Sequence, residues 1–135
     1  MDAVVVNRNL AAVRRVCEGW ATLTVEEFRE LMAPDIDYRN IPIDGDHHIG
    51  PDAVHKILSR FCERWNVRLQ VEGIVGDEQR VMAERTEYFT HRGGTKDPFA
   101  LPVMGTFEVS DGKITAWRDY FDLNQYMSQL QGTSA

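Results

Sequence analysis

At Trp65 the hydrophobic period of this chain changes. Before it, apolar residues recur at helical spacing; after it they alternate, as far as Phe121. The first spacing lays a stripe along a helix, and the second lays a face along a strand. Helices followed by a run of antiparallel strands make an α+β domain, with helices over one face of a strongly curved sheet. A bent sheet of this kind encloses a conical pocket where side chains of adjacent strands converge. The 135 residues are the size of one domain, and 1–135 is taken as a single unit.

The helical part divides at its caps. Leu10, Val13, Val16, Cys17 and Trp20 form one stripe and predict a first helix from about Asn7 to Trp20. Thr24-Val25-Glu26-Glu27 is a capping box, opening a short helix that carries Phe28, Leu31 and Met32 inward and stops at Pro34. Ile36 to Ile43 is an extended piece, and Gly45 to Gly50 is a loop. Pro51 suits the first turn of a third helix, whose apolar face is Val54, Ile57, Leu58, Phe61 and Trp65. In the strand part, Val67, Leu69 and Val71 alternate with polar residues, and Val81 to Phe89 alternates again. His91 to Asp97, with its glycine pair, is a hairpin connection. Phe99 to Val109 is a long strand, Asp111-Gly112 a hairpin turn, and Lys113 to Phe121 the last strand. Asp122 caps a terminal helix reaching Leu130, and the small polar tail from Gln131 onward is expected to fray.

Composition narrows the function classes. A net charge of -6 argues against nucleic acid, because phosphate binding needs a basic face. No apolar run approaches the ~18 residues that span a bilayer, so no membrane role is expected. The start, Met1 to Val6, lacks a basic segment and a long apolar stretch, which makes a cytoplasmic protein the expectation. Cys17 and Cys62 have no second thiol at CxxC spacing and read as free thiols. His47, His48, His55 and His91 form neither HxxxH nor HExxH, so no metal site and no cofactor are expected.

Polar residues stand where core strands bury apolar ones. With a period of two, Val81, Ala83, Arg85, Glu87 and Phe89 share a face, which puts two charges among apolar neighbours. On the last strand Asp119 lies between Trp117 and Phe121. Tyr38 and Asn40 present a hydroxyl and an amide on one side of the extended piece. A buried charge is costly unless paired. A guanidinium can bind two carboxylates at once, leaving one ionised while burial keeps a proton on the other. That supplies a base and an acid across a small substrate, which epoxide opening by water requires. Tyr38 and Asn40 are suited to hold the water. Trp117, Phe121, Leu101, Val103, Met32 and Leu58 are candidates for an apolar substrate pocket. Trp20, Trp65, Phe61 and Phe28 read as core packing, His47-His48 as a solvated loop, and Arg118 and Glu108 as surface or dimer-contact charges.

These residues resemble a known family. Tyr38-x-Asn40, Glu84-Arg85-Thr86-Glu87, Met104 to Val109, Asp111 to Ile114 and Trp117 to Asp122 look like the limonene-1,2-epoxide hydrolases. The resemblance implies the cone-shaped fold of the nuclear-transport-factor-2-like (SnoaL-like, cystatin-like) superfamily, with about three N-terminal helices over a mixed or antiparallel sheet. It also implies a homodimer and one-step hydrolysis of a small, largely apolar epoxide to a vicinal diol, without metal or cofactor. Carried over by position, Asp119 is the base, Tyr38 and Asn40 hold the water, Arg85 bridges, and Glu87 is the acid. The family's pattern is Arg-x-Asp; here the acid is Glu87, so its carboxyl reaches about one methylene further. The competing expectations are an acid–base enzyme of the ketosteroid-isomerase or polyketide-cyclase type, or a non-catalytic small-molecule binder. Arg85 separates the first of these, since moving a proton beside a carbonyl does not need a cation between two acids.

Overall fold

Asp2 starts the first helix, its Oδ1 accepting from the backbone N–H groups of Val4 and Val5. Helix α1 therefore spans Ala3–Gly19, beginning ahead of the apolar stripe and ending at Trp20 as its C-cap. The computed structural model describes residues 1–131, so the tail beyond Gln131 that was expected to fray lies outside the described residues. Thr24 and Glu27 form the expected reciprocal box at α2, Val25–Leu31. The other elements are β1 Met32–Asn40, β2 His48–Ile49, α3 Pro51–Arg64, β3 Trp65–Gly76, β4 Arg80–His91, β5 Phe99–Ser110, β6 Lys113–Tyr120 and α4 Leu123–Gln131.

The strands form one curved, unclosed sheet in the order β2-β1-β6-β5-β4-β3. All pairs are antiparallel except β1 with β6, so an early strand lies beside the last one. Register shifts between Met32 and Asp37, Val71 and Gly73, and Glu108 and Val109 interrupt the ladders, and bulges of this kind bend a strand. Asp111 and Gly112 both have positive φ, 51° and 77°, the geometry of a two-residue hairpin turn. Helix α1 lies against β3 and β4, and the inner face of the sheet carries the main core with Val16, Phe28, Ile36, Phe107 and Trp117.

Three further boundaries differ from expectation. Met32 leaves the second helix and begins β1, paired with Ile114 of β6, because Pro34 disfavours helix at Ala33, the next residue, and β6 offers a partner. Trp65 ends the stripe of α3 but is already strand, paired with His91. The expected Gly45–Gly50 loop contains the short strand β2, which pairs with β1 at Asp37 and Tyr38. Among the described residues the helices number four, the expected three plus the terminal α4.

Candidate active site

Sheet register brings the polar residues together. In the parallel pair, Tyr38 lies beside Trp117 and Asn40 beside Asp119. Across the next ladder Asp119 faces Gly105, and Gly105 faces Ala83 of β4. Arg85 is two residues further along β4 on the same face, and Glu87 two beyond that. Arg85 is 0% exposed, and Glu87 and Asp119 are also buried.

One nitrogen of the guanidinium reaches both acids. Arg85 Nη2 donates to Asp119 Oδ2 at 2.8 Å and to Glu87 Oε2 at 3.1 Å. Two indoles complete the arrangement: Trp117 Nε1 donates to Asp119 Oδ1 at 2.7 Å, and Trp20 Nε1 to Glu87 Oε2 at 3.3 Å. Trp20 thus meets the longer glutamate side chain where it ends. Burial opposes the charge on Arg85, but Asp119 and Glu87 outweigh it and hold the guanidinium protonated well above its usual value. Burial, reinforced by the charge of Asp119 and opposed by Arg85, raises Glu87 above the ordinary carboxylate range. Cys17 lies against this cluster, and burial pushes its thiol up to about 12, so it stays neutral.

Beside Asp119, Tyr38 and Asn40 are coupled. The Tyr38 hydroxyl donates to Asn40 Oδ1 at 3.3 Å, and burial keeps the phenol well above its usual value. Asp46 Oδ2 accepts from both the backbone N–H (2.8 Å) and Nδ2 (3.1 Å) of Asn40. A carboxylate only accepts, so this contact assigns the amide: nitrogen towards Asp46, oxygen towards Tyr38. Asp46 is itself 3.1 Å from His48 Nε2.

Gly105 makes room for the cluster. A Cβ there would stand 2.3 Å from Arg85 Nη1, 2.9 Å from Asp119 Oδ1 and 3.0 Å from Phe107 Cε1. Gly105→Ala is therefore expected to displace the guanidinium. Overpacking of a core costs roughly 1–3 kcal/mol, read in urea melts. Misplacing a catalytic group by about 1 Å can cost ~10² in kcat. A variant with wild-type stability and rate would mean that the cluster tolerates the extra methyl.

A cavity of about 860 Å³ opens onto these residues, with Trp20, Tyr38, Asn40, Asp46, Glu87 and Asp119 in its wall. The sequence description "Limonene-1,2-epoxide hydrolase catalytic domain" matches residues 7–132. The chain belongs to this family. Epoxide hydrolase EphG of Mycobacterium tuberculosis is 36% identical over 105 residues, 77% of this chain and 67% of that protein. The structure of an M. tuberculosis LEH-like epoxide hydrolase superposes with a TM-score of 0.76 at 25% identity, covering 94% of this chain and 92% of that one. A putative SnoaL-like polyketide cyclase from Jannaschia sp. CCS1 superposes with a TM-score of 0.84 at 17% identity and 99% of each chain, which shows the shared fold alone.

Within this limonene-1,2-epoxide hydrolase domain, hydrogen bonds and strand pairing bring Asp119, Arg85, Glu87, Tyr38 and Asn40 together. Of the pocket candidates, Leu58, Leu101, Val103 and Phe121 line the cavity, but Trp117 and Met32 do not. Both are core: Trp117 is fully buried behind Asp119, 4.3 Å from the Tyr38 ring and 5.4 Å from that of Phe107, and Met32 joins the same cluster. A shared strand face gives direction but not depth, and the cavity ends at Asp119, short of Trp117. Phe61 and Trp65 pack in the core as expected, Trp65 in the second cluster with Phe61 against it, and they also form part of the wall. Sequence reasoning missed Gly105, Trp20 and Asp46. A glycine inside a strand is a signal of close approach, and a buried indole N–H needs an acceptor. Asp46 carried no local signal.

Proposed function

We propose that this chain adds water to a small, largely apolar epoxide in one step, giving a vicinal diol without metal, cofactor or covalent intermediate. The observation that carries this is the single Arg85 Nη2 shared by two buried acids at the end of the cavity. Asp119, as carboxylate, takes a proton from water while the water oxygen bonds to one ring carbon. The ring C–O bond breaks at that carbon, and Glu87 gives its proton to the departing oxygen. A proton then passes from Asp119 to Glu87 to reset the site. Because Asp46 turns the Asn40 oxygen away from itself, that oxygen and Asp119 both offer acceptors to the water. A water donating to both aims a lone pair elsewhere, which suits attack on a ring carbon. An isomerase or cyclase would use Asp119 and Tyr38 but leaves Arg85 without a chemical task.

A single-turnover reaction with cyclohexene oxide in oxygen-18 water tests this. Label in the first diol formed, with none in the protein, is the expected result. Unlabelled diol, or no diol from any of a panel of epoxides, would overturn the proposal. The pH profile tests the acid separately. Glu87 is raised, so it keeps its proton beyond the usual carboxylate range and loses it only as pH rises further. Turnover is expected to fall on the alkaline side for that reason. Glu87→Gln should lower kcat by ~10²–10⁴ and remove that limb. An unchanged limb in the variant would assign the acid to another group.

The same reading places the protein in the cytoplasm as a homodimer. No described helix is long and apolar enough to cross a membrane. The outer face of the sheet exposes Met82, Met104 and Tyr120 on neighbouring strands, with Met104 paired directly to Tyr120. A second copy of the chain seated there would cover them, and sedimentation equilibrium reads the stoichiometry.

A further inference from the structure

Glu87 is held by one of its two oxygens. Oε2 accepts from Arg85 Nη2 at 3.1 Å, on its own strand, and from Trp20 Nε1 at 3.3 Å, at the end of α1. Among the described residues Oε1 accepts no hydrogen bond, and Glu87 lines the cavity. A carboxyl oxygen has two lone pairs. Arg85 alone would fill one of them and leave the other open to the acid's own proton. The indole fills the second. Trp20 is itself fixed. Its backbone N–H donates to Val16 O at 2.9 Å, and those of Thr22 and Leu23 both return to Gly19 O at 2.9 Å. Its side chain packs in the main core, and the residue is 5% exposed.

We propose that Trp20 is a positioning residue for the acid: by filling the second lone pair of Glu87 Oε2, it confines the acid's proton to Oε1, the oxygen left for the cavity. The proposal rests on the hydrolase reading, in which Glu87 gives that proton to the departing oxygen. In that step the Oε1–H bond breaks and its electron pair stays on Glu87, which becomes a carboxylate. The electron pair of the ring C–O bond goes to the former ring oxygen, which takes the proton. Negative charge then spreads onto Oε2, and both donors hold a carboxylate more strongly than a neutral acid. A contact that strengthens as charge develops favours the step itself and not only binding. The length of the side chain matters. An aspartate would end about 1.5 Å short, which takes a 3.3 Å contact out of hydrogen-bond range. Burial raises Glu87, Arg85 opposes it, Asp119 adds to it, and the indole opposes it again. Cys17 on α1, Tyr38 on β1, Cys62 on α3 and Tyr126 on α4 also face this charge; burial raises all four, so they stay neutral around pH 7.

Trp20→Phe keeps an aromatic ring and removes the donor. With cyclohexene oxide it is expected to lower kcat about tenfold, the effect of one hydrogen bond to a charged group. It should also move the alkaline limb of the pH profile upward, because a donor that opposed the rise of Glu87 is gone. Glu87→Asp withdraws the acid from the indole, so Trp20→Phe added to it should cost little further rate. Equal fold losses in the two backgrounds, or a limb that stays in place, would leave Trp20 a packing role and overturn the proposal. Should Trp20→Phe fail to fold, the wild-type protein carries the test. In nitrogen-15 spectra the Trp20 indole N–H is told from those of Trp65 and Trp117 by the Phe variants of the latter two. Its resonance should shift with pH as Glu87 ionises, and Glu87→Gln should abolish the shift. A Trp20 signal indifferent to Glu87 overturns the proposal even where epoxide is hydrolysed. If no epoxide is turned over, the hydrolase reading fails separately. The same titration then decides the proposal: a shift lost in Glu87→Gln upholds the indole's hold on Oε2, and no shift ends it.

Discussion

Asp119→Asn is expected to lower kcat by ~10²–10⁴, the usual contribution of a positioned proton transfer, with a much smaller change in KM. The substitution is not structurally silent. Asp119 uses both oxygens, Oδ2 for Arg85 and Oδ1 for the Trp117 indole. An amide has only one oxygen, so its NH2 group must face one of those donors. The lost bond and the donor–donor contact are expected to cost about 1–3 kcal/mol, read as a lower urea midpoint. A folded, substrate-binding variant with the rate nearly abolished supports Asp119 as the base. A rate within a few-fold of wild type would remove it from that role.

Arg85→Met is expected to give the largest loss of stability of any single substitution considered. The guanidinium is 0% exposed and is the cation shared by Glu87 and Asp119. Removing one member of a buried ion cluster costs roughly 3–5 kcal/mol, because the remaining charges are left desolvated and uncompensated. Glu87 is already raised by burial with Arg85 opposing, so losing Arg85 raises it further. A folded-state pKa above the unfolded one contributes stability that is present at low pH and lost as pH rises. The deficit of the variant should therefore be smallest in acid and grow towards neutral pH. Adding Glu87→Gln and Asp119→Asn should restore part of it by removing the orphaned charges. A deficit below about 1 kcal/mol at neutral pH would show that the two acids do not depend on this cation.

The cluster was legible because charge conflicts with period. Arg85 and Glu87 interrupt an alternating apolar face, and Asp119 sits between aromatics, so each had to be buried with a partner or be misassigned to that face. The capping box of α2 and the Asp111-Gly112 turn were equally plain, since each is fixed by neighbours within a few residues. Met32 and Trp65 were assigned to helices by a spacing that continues into residues where strand partners decide otherwise. Trp117 and Met32 were placed on the pocket wall because periodicity reports which way a side chain points and not where the cavity stops.

By itself, the sequence determined the helix-then-strand order, the faces of the strands, and that two acids and a guanidinium would share an apolar setting. These follow from local periodicity and from the cost of burying charge, which apply wherever the chain runs. Only the tertiary structure decided that β1 lies parallel to β6, which sets Asn40 beside Asp119. It also decided that Trp20 ends at Glu87, that Gly105 leaves the space Arg85 fills, and that Asp46 turns the Asn40 amide. Each of these contacts joins residues on different elements, and no pattern along the chain records the distance between them.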